Sequence, residues 1–332
     1  MIAKTFEKFN YTTVIISNLL LLGISVYYST LEINWSFAES KTLNGILIFG
    51  ALLLSNYAID TVTRQVTIER SNRNAYHLLL YPLVVMSYPI ESVDMRFILS
   101  SAAIWAAWRN VRIFFELNNN SKKIKRLFDA CVLLSFSSLM ILENLIMFTY
   151  PLLALVTANI KRDLKHYLIV FMTPLIILPS AYVILSFLSL DSYLFSSYFF
   201  ADQFQATDEY SFIPNSSRFF LMLLLEHNFN LTYSYVPILI VFVLFVISVI
   251  IKFQRTAGSQ RRILDLVGVL FLILTSLFFS MDQQLSGSEF HYLSLIFVYF
   301  ISQIFVKKLK SSYVNFIFMS LIASIIIFKF LT

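Results

Sequence analysis

Apolar segments of near-spanning length recur along the whole chain, and the loops between them alternate in charge. No other property limits the fold as strongly. A segment crossing about 30 Å of hydrocarbon needs roughly 20 mostly apolar residues, wound so that its backbone groups are satisfied internally. Candidate spans lie at about 12–29, 44–62, 76–89, 97–115, 127–142, 145–158, 167–190, 236–251, 263–280, 291–306 and 312–330. The expected class is therefore an all-α, polytopic integral membrane protein with about 11 transmembrane helices. Composition agrees, since 58% of the 332 residues are hydrophobic and 13% charged, against about 25% charged in a soluble domain.

The loops sort by sign. Lys4 and Lys8; Arg64, Arg70 and Arg73; Lys122, Lys123, Lys125 and Arg126; Lys161, Arg162 and Lys165; Lys252, Arg255, Arg261 and Arg262; and Lys307, Lys308 and Lys310 fall on alternate loops. Such a bias marks the cytoplasmic side. The remaining loops carry Glu32 and Glu39, Glu91 and Asp94, Glu143, the long segment 191–235, and Asp282 with Glu289. The amino terminus is expected inside and the carboxyl terminus outside. Lys41, Arg96, Arg218 and Lys329 are the basic residues left on the external side. The same bias accounts for the net charge of +6, so no nucleic-acid partner is implied. The first apolar stretch, in "MIAKTFEKFNYTTVIISNLLLLGISVYYS", lacks a small-residue cleavage site and reads as a retained transmembrane helix.

The chain divides into an amino-terminal seven-helix membrane part, 1–190, an external segment, 191–235, and a carboxyl-terminal four-helix membrane part, 236–332. The external segment contains "SSRFFLMLLLEHNF", which reads as an interfacial or partly re-entrant helix. Segments 127–142 and 145–158 are short for full crossings and fit either two thin spans or a re-entrant hairpin. In the hairpin, Glu143 becomes a buried acid at membrane depth, where an acid is costly and usually functional.

Candidate chemistry centres on the external acids. Acid–base or metal-assisted transfer needs carboxylates converging on a cleft. In "YPIESVDMRF", Glu91 and Asp94 lie three apart and Arg96 is placed to pair with either. Two readings fit: a solvated loop that respects the charge bias, or a catalytic or headgroup-binding role for at least one of Glu32, Glu91 and Asp94. In "IWAAWRNVRIFFEL", Trp105, Arg109 and Arg112 share one helix face. These arginines, with Arg96, are candidate ligands for a lipid phosphate or headgroup, or else they snorkel beside an aromatic belt. Asp60 and Arg64 form a self-neutralising i, i+4 pair. His77 and His166 read as cytoplasmic interface residues, His227 and His291 as external ones. No HExxH or comparable spacing provides a metal site, and Cys131 reads as packing. Walker, dinucleotide and GxSxG motifs are absent, so any energy source arrives with a substrate or partner.

The residues "RNAY", "KRLFDA" and the stretch from Pro151 through "YLIVFMTPLIILP" resemble an uncharacterised family of Bacteroidota inner-membrane proteins of unknown function. That resemblance extends weakly over most of the chain and implies a location in the bacterial inner membrane. The layout of the amino-terminal half also resembles class-C glycosyltransferases, which use polyprenyl-phosphate-linked sugars. That resemblance implies Glu32, in "STLEINW", as catalytic base, and Glu91 with Asp94 as a supporting acidic motif, with a divalent metal as the cofactor such a site uses. The first external loop, 30–43, is shorter here than in those enzymes, and their acidic pair is replaced by Glu32 alone.

Three functions follow as expectations. One is glycosyl transfer at the external face of the inner membrane, with membrane lipid and a polyprenyl-phosphate sugar as partners. Another is a non-catalytic membrane subunit of an envelope assembly or secretion complex, with protein partners. The third is a lipid or small-solute transporter or flippase, with polar residues such as Asn56, Asn144 and Gln303 lining a cavity.

Overall fold

A computed structural model describes residues 2–7, 9–35, 40–66, 75–90, 92–117, 119–157, 164–187, 235–253, 287–305 and 311–330. Nearly all of the expected external segment, and the expected span 263–280, lie outside these residues. Within them the chain is helical apart from two short strands: α1 (Ile2–Phe6), α2 (Tyr11–Thr30), β1 (Glu32–Trp35), α3 (Lys41–Val66), α4 (Tyr76–Met86), β2 (Ser92–Asp94), α5 (Met95–Glu116) and α6 (Asn120–Met140). A 3-10 helix (Leu142–Phe148), α7 (Thr149–Thr157), α8 (Leu164–Phe187), α9 (Val236–Phe253), a 3-10 turn (Ser288–Phe290), α10 (His291–Phe305) and α11 (Ser311–Phe330) follow. Among the described residues four stretches are long and apolar enough to cross a membrane: Tyr11–Thr30, Lys41–Thr61, Leu164–Ile184 and Ser312–Lys329. The expected spans 76–89, 145–158 and 236–251 fall on shorter apolar helices. Two compact units result, one from residues 1–95, 217–257 and 286–332, the other from 96–216 and 258–285.

In the first unit α4 is the core. Its 11 residues rise only about 16 Å, half the hydrocarbon thickness, and Tyr76 through Val85 are all buried. A helix apolar all round and this short is enclosed by protein; α1, α2, α3, α10 and α11 pack against it. On α2 the buried stripe is Thr13, Ser17, Leu21, Ile24, Ser25 and Tyr28, while Ile15, Leu19 and Val26 are exposed. Three small polar groups, Thr13, Ser17 and Ser25, thus face protein among larger side chains, a use of small residues that lets helices approach closely in lipid. One contact has a local cause. Pro82 lies inside α4 and has no N–H for the carbonyl of Leu78, one turn back. The Ser17 hydroxyl donates to that carbonyl at 2.8 Å and accepts from Asn56 Nδ2 at 3.1 Å.

Asp60 of α3 and His77 of α4 are paired at 3.0 Å, with side-chain exposures of 10% and 5%. His77 is therefore a core residue rather than an interface one, and the acid expected to neutralise Arg64 meets an imidazole. The side chain of Arg64 lies outside the described residues.

In the second unit α6 packs on α8. The sequence "NNNSKK" starts α6 because the Asn119 side chain accepts from the amides of Ser121 and Lys122, at 3.0 and 3.4 Å. The helix stops at Met140, and Asn144 seals the break by donating to the carbonyl and hydroxyl of Ser137 at 3.1 and 2.8 Å. Seven residues then wind as a 3-10 helix and nine as α7. A 3-10 helix rises about 2.0 Å per residue against 1.5 Å. Laid end to end the pair reaches roughly 28 Å, close to a bilayer core that an α-helix of the same length would miss by about 6 Å. Cys131 is buried, as a packing role requires. On α8, Leu175, Ile176 and Val183 are exposed.

Candidate functional site

The stretch around "YPIESVDMRF" is where the first unit brings distant segments together. Helix α4 ends at Met86, with the Ser87 hydroxyl donating to the Val84 carbonyl at 2.6 Å and Pro89 blocking continuation. That leaves carbonyls at the negative end of the helix dipole. Lys329 of α11 fills the need: its Nζ donates to the carbonyls of Met86 and Tyr88, each at 3.0 Å, and lies 5.2 Å from the Tyr27 ring centroid. The Tyr28 hydroxyl donates to the Val85 carbonyl at 3.3 Å. Tyr88 stacks on Phe290 at 5.7 Å and meets His291 edge-on at 5.5 Å. His291 is 1% exposed, so the residue expected at an interface is enclosed by aromatic rings.

The turn before α10 closes on the same loop. Gly287 adopts φ +82°, and a Cβ there would come within 2.8 Å of Ile90 Cα and nearer still to the Pro89 carbonyl oxygen. Only glycine allows both the left-handed backbone and this approach. Ser288 follows. Its hydroxyl accepts from the Asp94 amide at 3.0 Å and donates to the Ser92 carbonyl at 3.2 Å, which fixes β2.

With β2 held, β1 pairs with it in parallel, Glu32 opposite Ser92, Ile33 opposite Val93 and Trp35 opposite Asp94, with an irregularity between Ile33 and Trp35. Two segments expected as separate external loops thus form one ladder. Glu32 stands diagonal to Asp94, one exposed and the other 3% exposed. Glu91 lies outside the described residues, as does the side chain of Glu143. Among the described residues no group of three or more His, Cys, Asp or Glu could hold a metal ion.

The three arginines belong to the second unit, where each is half-buried on α5. Arg112 lies over the Trp108 ring, 5.7 Å from its centroid, while Trp105, the indole expected beside it, is fully buried and meets Trp108 edge-on. The i, i+4 spacing of Trp108 and Arg112 carried that signal. Gly287, Ser288, His291 and Lys329 were not anticipated as parts of the site. Lys329 left a trace in the sequence, as a basic residue on the side the charge bias leaves poor in cations, and His291 one as an external histidine.

No protein-family model, no curated protein and no solved structure matches this chain.

Proposed function

We propose that this chain is a multi-spanning protein of the bacterial inner membrane, and that its first two external loops form one site transferring a sugar from a polyprenyl-phosphate carrier to an acceptor hydroxyl. The β1–β2 ladder carries this reading, because it brings Glu32 and Asp94 to diagonal positions of one ladder from segments some sixty residues apart. Glu32, exposed at the start of the ladder, takes the proton of the acceptor hydroxyl. The acceptor oxygen bonds to the anomeric carbon, and the bond from that carbon to the phosphate oxygen breaks, releasing polyprenyl phosphate. Asp94, with Glu91, positions the donor phosphate. A divalent ion, were one bound there, would be held by Asp94 and Glu91. Its contribution would be to neutralise charge on the leaving phosphate.

A general base of this kind contributes about a hundred- to ten-thousand-fold. Expressed at normal level in cells lacking the native protein, Glu32→Gln is expected to abolish the surface glycan that the unaltered chain restores. Asp94→Asn is expected to reduce it. Full restoration by both variants overturns the transfer reading.

The second reading is a non-catalytic membrane subunit of an envelope assembly. The burial of Asp94 and the Ser288 clamp favour it, since both suit a fixed scaffold. It predicts stable co-purification with a protein partner, and no loss when Glu32 and Asp94 are both replaced. Of the residues expected to line a transporter cavity, Asn56 donates to Ser17 and Asn144 to Ser137, and the side chain of Gln303 lies outside the described residues.

A further inference from the structure

Helices α2 and α3, both long and apolar enough to cross a membrane, leave a groove of about 530 Å³ between their ends nearest β1. Its two ends differ in chemistry. Thr30, Lys41 and Thr42 line one end, Val26 and Ile46 form walls, and Phe49 lies toward the other. The walls face outward, with Val26 55% and Ile46 61% exposed. From Lys41 to Phe49 the groove follows eight residues of α3, about 12 Å of helix, which is most of one leaflet of a core about 30 Å thick. An ammonium and two hydroxyls therefore sit at headgroup depth, with an open apolar slot below them. Lys41 is also among the few cations on the side opposite the basic loops.

We propose that this groove holds one hydrocarbon chain of a phosphate-headed membrane lipid, with the Lys41 ammonium against the phosphate and the Thr30 and Thr42 hydroxyls as further donors. The occupant is a lipid rather than a free phosphate because the slot is apolar over most of its length and opens sideways between two spans. The site stands independently of the glycosyl-transfer reading, since a lipid can lodge there whether or not Glu32 acts as a base.

Full-length protein purified in a phosphate-free detergent, with no sugar donor present, is titrated with phosphatidylglycerol, diacylglycerol and glycerol phosphate, and bound molecules are counted by native mass spectrometry. Phosphatidylglycerol is expected to bind, with diacylglycerol about fivefold weaker, the ratio for one cation meeting an anionic headgroup. Lys41→Gln, an exposed change that leaves packing alone, is expected to bring phosphatidylglycerol down to the diacylglycerol level. Val26→Trp fills the slot and is expected to remove both lipids. Ile15→Trp, at an outward position of α2 that is 57% exposed and away from the groove, is expected to change neither. Unchanged phosphatidylglycerol binding by Lys41→Gln overturns the proposal. So does equal behaviour of Val26→Trp and Ile15→Trp, or glycerol phosphate competing as strongly as the lipid.

Discussion

Gly287 and the Asp60–His77 pair show two ways in which single residues hold this protein together. At Gly287 both the backbone and the space are special, and substitution separates the two. Asparagine tolerates the left-handed region far better than alanine does, so it would rescue a position constrained by φ alone. Here a Cβ of any kind meets the Pro89–Ile90 backbone. Gly287→Ala and Gly287→Asn are therefore both expected to lower stability by about 1–3 kcal/mol, read as the midpoint of thermal unfolding in detergent. Rescue by asparagine would show that the close approach is unimportant. At the buried pair, His77→Ala leaves a carboxylate enclosed without its imidazole and is expected to cost about 3–5 kcal/mol. Replacing both residues by leucine is expected to recover most of that. Equal losses in the single and double variants would mean that the hydrogen-bonded pair itself is required, and not merely the absence of an uncompensated buried acid.

At the scale of elements, the clamp on β2 makes a prediction for the ladder. Ser288→Ala removes one donor to the Ser92 carbonyl and one acceptor for the Asp94 amide, at about 1–3 kcal/mol for a buried group left unsatisfied. Hydrogen exchange at the Asp94 amide is expected to quicken about ten- to a hundred-fold, with exchange in α2 unchanged. An unaltered rate would show that β1 alone secures β2. Elements also mark what the sequence could reveal. On α3 the buried residues Asn44, Ile48, Ala51, Leu52, Ser55, Asn56 and Ile59, joined near the far end by Ala58 and Asp60, largely repeat every three to four positions, so a helix with one face inward was legible. The strands were not. "EINW" and "SVD" are too short for alternation to show, and their pairing depends on a serine near position 290. Glu32, Asp94 and Arg96 were singled out for their charge and position. Ser288 was not, and His291 was read only as an external interface residue, because an uncharged or isolated polar residue gains meaning only from what surrounds it. Helix α4 was read as a span from its hydropathy, which does not distinguish lipid from protein as the apolar surrounding.

At the scale of the whole molecule, sidedness is the property on which the proposed chemistry depends. The one native cysteine is Cys131, and it is buried, so single introduced cysteines can be labelled against a quiet background. Lys4 and Thr30 are both exposed and flank α2. With a membrane-impermeant maleimide on intact cells, Thr30→Cys is expected to react and Lys4→Cys only after permeabilisation. The reverse pattern would place Glu32 and the groove on the cytoplasmic face and remove the basis for transfer at the external surface.

The fastening of β2 also has a meaning in time. The Asp94 amide waits for a hydroxyl 194 residues further along the chain, and the Met86 carbonyl for an ammonium 243 residues further. At a synthesis rate of about 5–20 residues per second, the second interval is roughly 12–50 s. Throughout that period α4 is already made, yet its end carries carbonyls with no cation, and for most of it the ladder has no clamp. A nascent chain stalled before α10 therefore carries neither the hydroxyl that holds the Asp94 amide nor the ammonium that caps the Met86 carbonyl.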